Sequence, residues 1–203
     1  LPNFETVKEV SQKTAFGNLF DRYFPALKYF AQGYVKDKGD AEELVHDTFM
    51  AIWEKREQLT FDASLKPYLY KALRNKCLNF ARKQKLEIQE VGENFEPTGN
   101  IPDPLQDLTK KETEQRIFAA IEKLPPRCRQ IFLLSRTENL SYKEIAEVME
   151  LSSKTVENQI AIALKSIRKS LGMQENGNNG NVFLNILLLG ILMDGQFYTR
   201  LLG

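Results

Sequence analysis

Residues 87–107 read EIQEVGENFEPTGNIPDPLQD, with six acids, no base, and prolines at 97, 102 and 104. Neither the helical nor the strand period of apolar residues survives here, so the stretch predicts an extended, flexible acidic linker rather than part of a core. A chain of 203 residues is long enough for one large domain or two small ones. It is expected to fold as two small domains, over 1–86 and 109–172, with 87–108 between them and a separate tail at 173–203.

Both flanks carry helical patterns. In KTAFGNLFDRYFPALKYFAQGYV, residues 13–35, Phe16, Leu19, Phe20, Tyr23, Phe24, Leu27, Phe30 and Ala31 recur at helical spacing, and Pro25 is expected to kink or divide the run. Asp40 and Glu43 give a D-x-x-E start signal for a second helix. Its Ala41, Leu44, Val45, Phe49, Ile52 and Trp53 would share one apolar face. A third helix is expected from about Leu65 to Lys85, with Leu69, Ala72, Leu73, Leu78 and Phe80 inside and its cations outside. Beyond the linker, Thr109-Lys-Lys-Glu112 is a capping box for a helix running to about Lys123, which Leu124-Pro125-Pro126 ends. CRQIFLLSR continues as a helix, Ser141-Tyr-Lys-Glu144 opens another, and Ser152 and Ser153 announce the last. The fold class is therefore all-α, in two helical domains.

Charge is patterned although the net is only +1. Residues 1–60 sum to −2, 61–86 to +6, 87–112 to −5, 113–173 to +3 and the tail to −1. Two basic blocks flanked by acidic ones suit phosphate contacts at two places and a different partner elsewhere. The single histidine, His46, lies in an acidic helical run and reads as a solvated helix face. No nucleophile elbow, phosphate-cradling loop or zinc motif is present, so no catalysis, metal, cofactor or small-molecule substrate is expected. Glu5 and Glu9 with no apolar run argue against a signal peptide. Cys77 and Cys128 read as reduced, buried thiols of a cytoplasmic protein.

EIAEVMELSSKTVENQI, residues 144–160, has the form of a helix-turn-helix. The second helix of such a motif presents its N-terminal residues to base edges in the major groove. Those would be Ser153, Lys154, Thr155, Glu157, Asn158 and Gln159, with Asn and Gln suited to adenine, Glu to cytosine and Lys to guanine or phosphate. Arg168 would position the backbone. Glu150 stands where the turn commonly has glycine, which implies a strained positive φ. An ordinary helical hairpin with a polar face is the alternative. In 61–86, Phe61, Tyr68, Tyr70 and Phe80 interleave with cations and with Asn75 and Asn79. That pattern fits a single strand held by stacking and a basic track, or a basic helix with buried aromatics.

Two halves of the chain together resemble one family. IEKLPPRCRQIFLLSRTENLSYKEIAEVMELSSKTVENQIAIALKSIRKSL resembles region 4 of bacterial sigma-70 factors. NLFDRYFPALKYFAQGYVKDKGDAEELVHDTFMAIWEKR and LKPYLYKALRNKCLNFARKQK resemble region 2 of their extracytoplasmic-function group. The resemblance implies a non-enzymatic subunit that binds core RNA polymerase at its clamp and flap regions and directs it to promoters. It implies clamp contacts at Asp40, Glu43, Asp47, Phe49 and Trp53, although Phe49 and Trp53 also suit core packing, Trp53 at least equally. It implies capture of the melted minus-ten strand by the loop around Phe61 and by Lys66, Tyr68, Lys71, Arg74, Asn75, Asn79 and Arg82. Tyr68 stands where the family often has tryptophan. The helix-turn-helix would read the duplex minus-thirty-five element, and an anti-sigma factor, membrane-bound or free, becomes an expected partner.

An autonomous LuxR-type regulator would share the helix-turn-helix but needs no aromatic-rich single-strand face, and a protein-only adaptor would need neither basic block. The tail VFLNILLLGILM, 182–193, lies outside the family pattern. It is too short to span a bilayer and is read first as a helix docking on this protein or a partner, with attachment to a membrane surface or no specific role as the alternatives.

Overall fold

The computed structural model describes residues 4–91 and 110–172. These form helices α1 (Phe4–Gln32), α2 (Lys38–Glu54), a 3-10 turn (Ala63–Leu65), α3 (Lys66–Val91), α4 (Lys110–Glu122), α5 (Pro126–Arg136), α6 (Tyr142–Met149) and α7 (Ser153–Ser170). The expected linker and apolar tail fall largely outside the described residues, as does Thr109 of the expected capping box.

Local signals explain most boundaries, and three expectations need correction. Of the kink or division expected at Pro25, the division is corrected: α1 runs through Pro25 as one helix, without the one backbone hydrogen bond that a proline nitrogen cannot donate. Helix α2 is capped by Asp37, not Asp40: Asp37 has extended backbone and its carboxylate accepts from the N–H groups of Gly39 and Asp40 at 2.7 and 3.0 Å. Asp40 and Glu43 therefore stand inside the helix, where acids suit its positive end. Helix α3 continues to Val91, past the expected boundary at residue 86, because Gly92 is the first breaker in that stretch.

The expected box at Ser141 is present. Its hydroxyl accepts from the Glu144 N–H at 3.2 Å, while the Glu144 carboxylate accepts from the Ser141 N–H at 2.7 Å. The Ser141 hydroxyl, donating to the same carboxylate at 2.6 Å, and then the Ser141 N–H hold the Glu144 carboxyl below the usual carboxylate range.

In the first domain α1, α2 and α3 pack around Leu27, Ala31, Val45, Ile52, Leu69 and Leu73, all essentially inaccessible to water. In the second, Ile117, Ile121, Ile131, Ile145, Val156 and Ile167 do the same for α4 to α7. Cys77 and Cys128 are free and buried, and burial pushes the Cys77 thiol up to about 12. The two cores are joined into one connected cluster, because α3 lies along α6. Polar contacts cross the same seam. The Gln130 amide donates to the Phe30 carbonyl at 3.1 Å, and the Tyr29 hydroxyl donates to the Glu122 carboxylate. Burial and the Glu122 charge raise the Tyr29 pKa.

Candidate nucleic-acid interface

The helix-turn-helix is built from α6 and α7. Glu150 ends α6 at φ 53°, ψ 54°, the left-handed conformation expected where glycine is common, and its N–H donates to the Ala146 carbonyl. Ser152 then caps α7, accepting from the Thr155 N–H at 3.0 Å. Val156, Ile160, Ala163 and Ile167 anchor α7 on its buried side. This leaves Ser153, Lys154, Glu157 and Asn158 exposed on its first turns, with Thr155 and Gln159 half-buried beside them. Lys154 and Glu157 pair at 2.8 Å across one turn. Arg168 stands apart from this group, half-buried in the last turn, about 22 Å along the axis from Ser153. Ile162, 51% exposed, lies farther along α7 and was not anticipated.

Helix α3 separates its expected strand-binding residues onto two faces. Tyr68, Lys71, Asn75, Asn79 and Arg82 recur at intervals of three and four, all exposed, and make one stripe about 21 Å long. Arg82 donates to the Asn79 side-chain oxygen, and Lys55 reaches the Tyr68 hydroxyl at 3.4 Å. Leu78, expected inside, is 39% exposed on this same stripe. It lies three residues after Asn75 and four before Arg82, in the register of the outer face.

Lys66 and Arg74, expected outside with the other cations, instead face the second domain. Lys66 Nζ donates to the Glu138 carbonyl at 2.5 Å and lies 3.9 Å from its carboxylate. Arg74 is 9% exposed and pairs with Glu150 at 3.1 Å, in an alignment short of a hydrogen bond.

Phe61 sits at the rim of an aromatic cluster. Its ring is stacked with that of Trp53 at 6.3 Å between centroids and tilted against Phe16 at 5.5 Å. Arg56 lies over the other ring of that pair, 4.9 Å from the Trp53 centroid.

On α2, Glu43, Asp47, Met50 and Glu54 form an exposed stripe with Asp40 half-buried at its head. Met50, 58% exposed, was not anticipated, although its spacing from Asp47 and Glu54 is the signal that places it there. Phe49 does not belong to that surface: it is 2% exposed, with its ring against Phe20 at 4.8 Å and Phe16 at 5.9 Å. A side chain so enclosed is core, and the expectation of a polymerase contact there is corrected. Trp53 is half-buried.

Two family models match the chain in order. Sigma-70 region 2 covers residues 19–87 and sigma-70 region 4 covers 114–167, together more than half of the sequence. The chain belongs to the sigma-70 family. As a sigma factor it directs RNA polymerase to promoter DNA, and the region 2 match leaves the LuxR-type alternative without support.

This sigma factor is 28% identical over 172 residues to the ECF RNA polymerase sigma-E factor of Escherichia coli K12, covering 80% of this chain and 89% of that one. It is 27% identical over 153 residues to the RNA polymerase sigma factor NccH of Alcaligenes xylosoxydans xylosoxydans, with 73% and 82% covered. Its fold matches the sigma factor RpoE of Bartonella quintana, solved in complex with the anti-sigma factor NepR, at a TM-score of 0.58 and 25% identity, over 79% of this chain and 98% of that one. These relatives place it in the extracytoplasmic-function group. Among the described residues no helix is long and apolar enough to cross a membrane.

Proposed function

We propose that this sigma factor divides promoter recognition between two surfaces and polymerase binding onto a third. The Tyr68–Arg82 stripe of α3 takes the melted minus-ten strand. The single observation that carries this reading is the alignment of one exposed aromatic, two cations and two amides along one helical face. Aromatics stack on bases of any sequence, cations follow the phosphates, and amides can pair with base edges. The exposed first turns of α7 read the duplex minus-thirty-five element, with Asn158 as the principal base reader and Gln159 beside it. The acidic stripe of α2, Asp40 to Glu54 with Met50 among its acids, docks on the polymerase clamp. Because the Bartonella quintana relative was solved with an anti-sigma factor, a protein inhibitor of this chain is the natural counterpart, acting in the cytoplasm where polymerase works.

The test is Tyr68→Ala in holoenzyme assembled with core polymerase. Promoter recruitment, followed by gel shift on duplex DNA, is expected to persist, while permanganate-reactive thymines in the minus-ten element disappear. Undiminished thymine reactivity in that variant removes Tyr68 from strand capture.

A further inference from the structure

On α7 the buried anchors Val156, Ile160, Ala163 and Ile167 fix which side of the helix is left for a partner. At about 100° per residue, Lys154, Asn158, Ile162 and Lys165 fall on the opposite side, all of them exposed. Three of these four carry polar atoms suited to base edges or phosphates. Ile162 carries none, and among the described residues of α7 it is the one large apolar side chain left exposed. On an ordinary surface a single exposed apolar residue needs no explanation. This one stands one turn after Asn158, about 6 Å along the axis and about 40° around it, inside the face that a duplex would meet. Its neighbour Ala161, also exposed, is too short to shield it. A β-branched side chain on a helix keeps largely to one rotamer, so Ile162 offers its methyl groups to a partner at little entropic cost.

The major groove presents one apolar feature that differs between base pairs, the C5-methyl group of thymine, which cytosine lacks. An aliphatic side chain makes no hydrogen bond there and discriminates only by burying that methyl group. We propose that Ile162 reads a thymine methyl group in the minus-thirty-five element, one helical turn beyond the base that Asn158 pairs with. Asn158 supplies the hydrogen-bonded half of the recognition, with adenine as its matching base, and Ile162 supplies the apolar half. Cytosine at the same place would set its amino group against Ile162, a buried donor with no acceptor. The upstream element of this sigma factor is therefore expected to place a T·A pair within reach of Ile162. The inference deepens the reading of α7 as the duplex reader and rests on it.

The experiment uses holoenzyme of core RNA polymerase with the full chain, on a duplex promoter selected from a library. Each thymine of the upstream element, on either strand, is exchanged in turn for deoxyuridine, which removes the methyl group and nothing else. Competition gel shifts give the relative affinities. With the parent chain, exchange at about one or two thymines is expected to weaken binding roughly 3- to 5-fold, the worth of one buried methyl group. Ile162→Ala, a change at an exposed site that should leave the urea midpoint in place, is expected to show that same loss on the thymine promoter and no further loss on exchange. Deoxyuridine sensitivity that persists in Ile162→Ala overturns the assignment, and so does a parent holoenzyme indifferent to every exchange. Asn158→Ala separates the underlying reading. If that variant keeps the parent's preference among upstream elements, α7 is not the duplex reader. If the preference relaxes while the parent is indifferent to every exchange, α7 reads the duplex without Ile162.

Discussion

At the scale of single residues, Glu150 carries the most concentrated conflict between backbone and side chain. A non-glycine residue in the left-handed region costs about 1–2 kcal/mol, and here the side chain is the part that reaches the other domain. Comparing Glu150→Gly with Glu150→Gln isolates the backbone contribution, since neither variant keeps the charge pair with Arg74. Glycine loses part of its advantage to the greater freedom of the unfolded chain. Glu150→Gly is therefore expected to exceed Glu150→Gln in stability by about 0.5–1 kcal/mol, read from urea unfolding. Equal or lower stability would mean that the turn is not strained. The position is legible in sequence as the turn of a helix-turn-helix holding an unusual residue. The reason for that residue is not, because Arg74 lies far away along the chain and meets it only through the packing of α3 on α6.

Helices are the scale at which periodicity is informative and composition misleads. Phe49 lies four residues after Val45 and three before Ile52, which centres it on the buried face of α2. Its register was available in the sequence and argues against its use as a contact. Met50, one residue on, turns about 100° away and joins the acidic stripe. Phe49→Ala is accordingly expected to cost about 3–4 kcal/mol of folding stability. Asp47→Lys should leave stability within about 0.5 kcal/mol and weaken holoenzyme formation instead. A Phe49→Ala chain of normal stability that fails to bind core polymerase would reverse this assignment. On α3 the reading of every cation as outward failed at Lys66 and Arg74. They share the register of Tyr70 and Cys77, on the inner face, where the Glu138 carbonyl and carboxylate and the Tyr23 ring meet Lys66 and the Glu150 carboxylate meets Arg74. Leu78 failed in the opposite sense, an apolar residue set by its register on the exposed outer stripe.

For the whole molecule, a net charge of +1 does not conflict with DNA recognition, since the basic residues are gathered where nucleic acid is expected. Acids on α2 form a separate surface, and Glu138 and Glu150 pair with Lys66 and Arg74 of the basic block where α3 meets the second domain. The two-domain division was legible from the acidic, proline-bearing stretch after α3. The joining of the two cores was not, because it depends on contacts between helices distant in sequence, among them α3 and α6. The proposed division of labour needs both regions in one chain, because the strand site and the duplex reader are assigned to different helical domains. Run-off transcription tests this most directly, using the purified chain, core RNA polymerase and a library of promoter fragments. The account predicts initiation at a discrete set of promoters that core polymerase alone does not use. Absence of specific initiation, with the chain footprinting duplex DNA by itself, would contradict it.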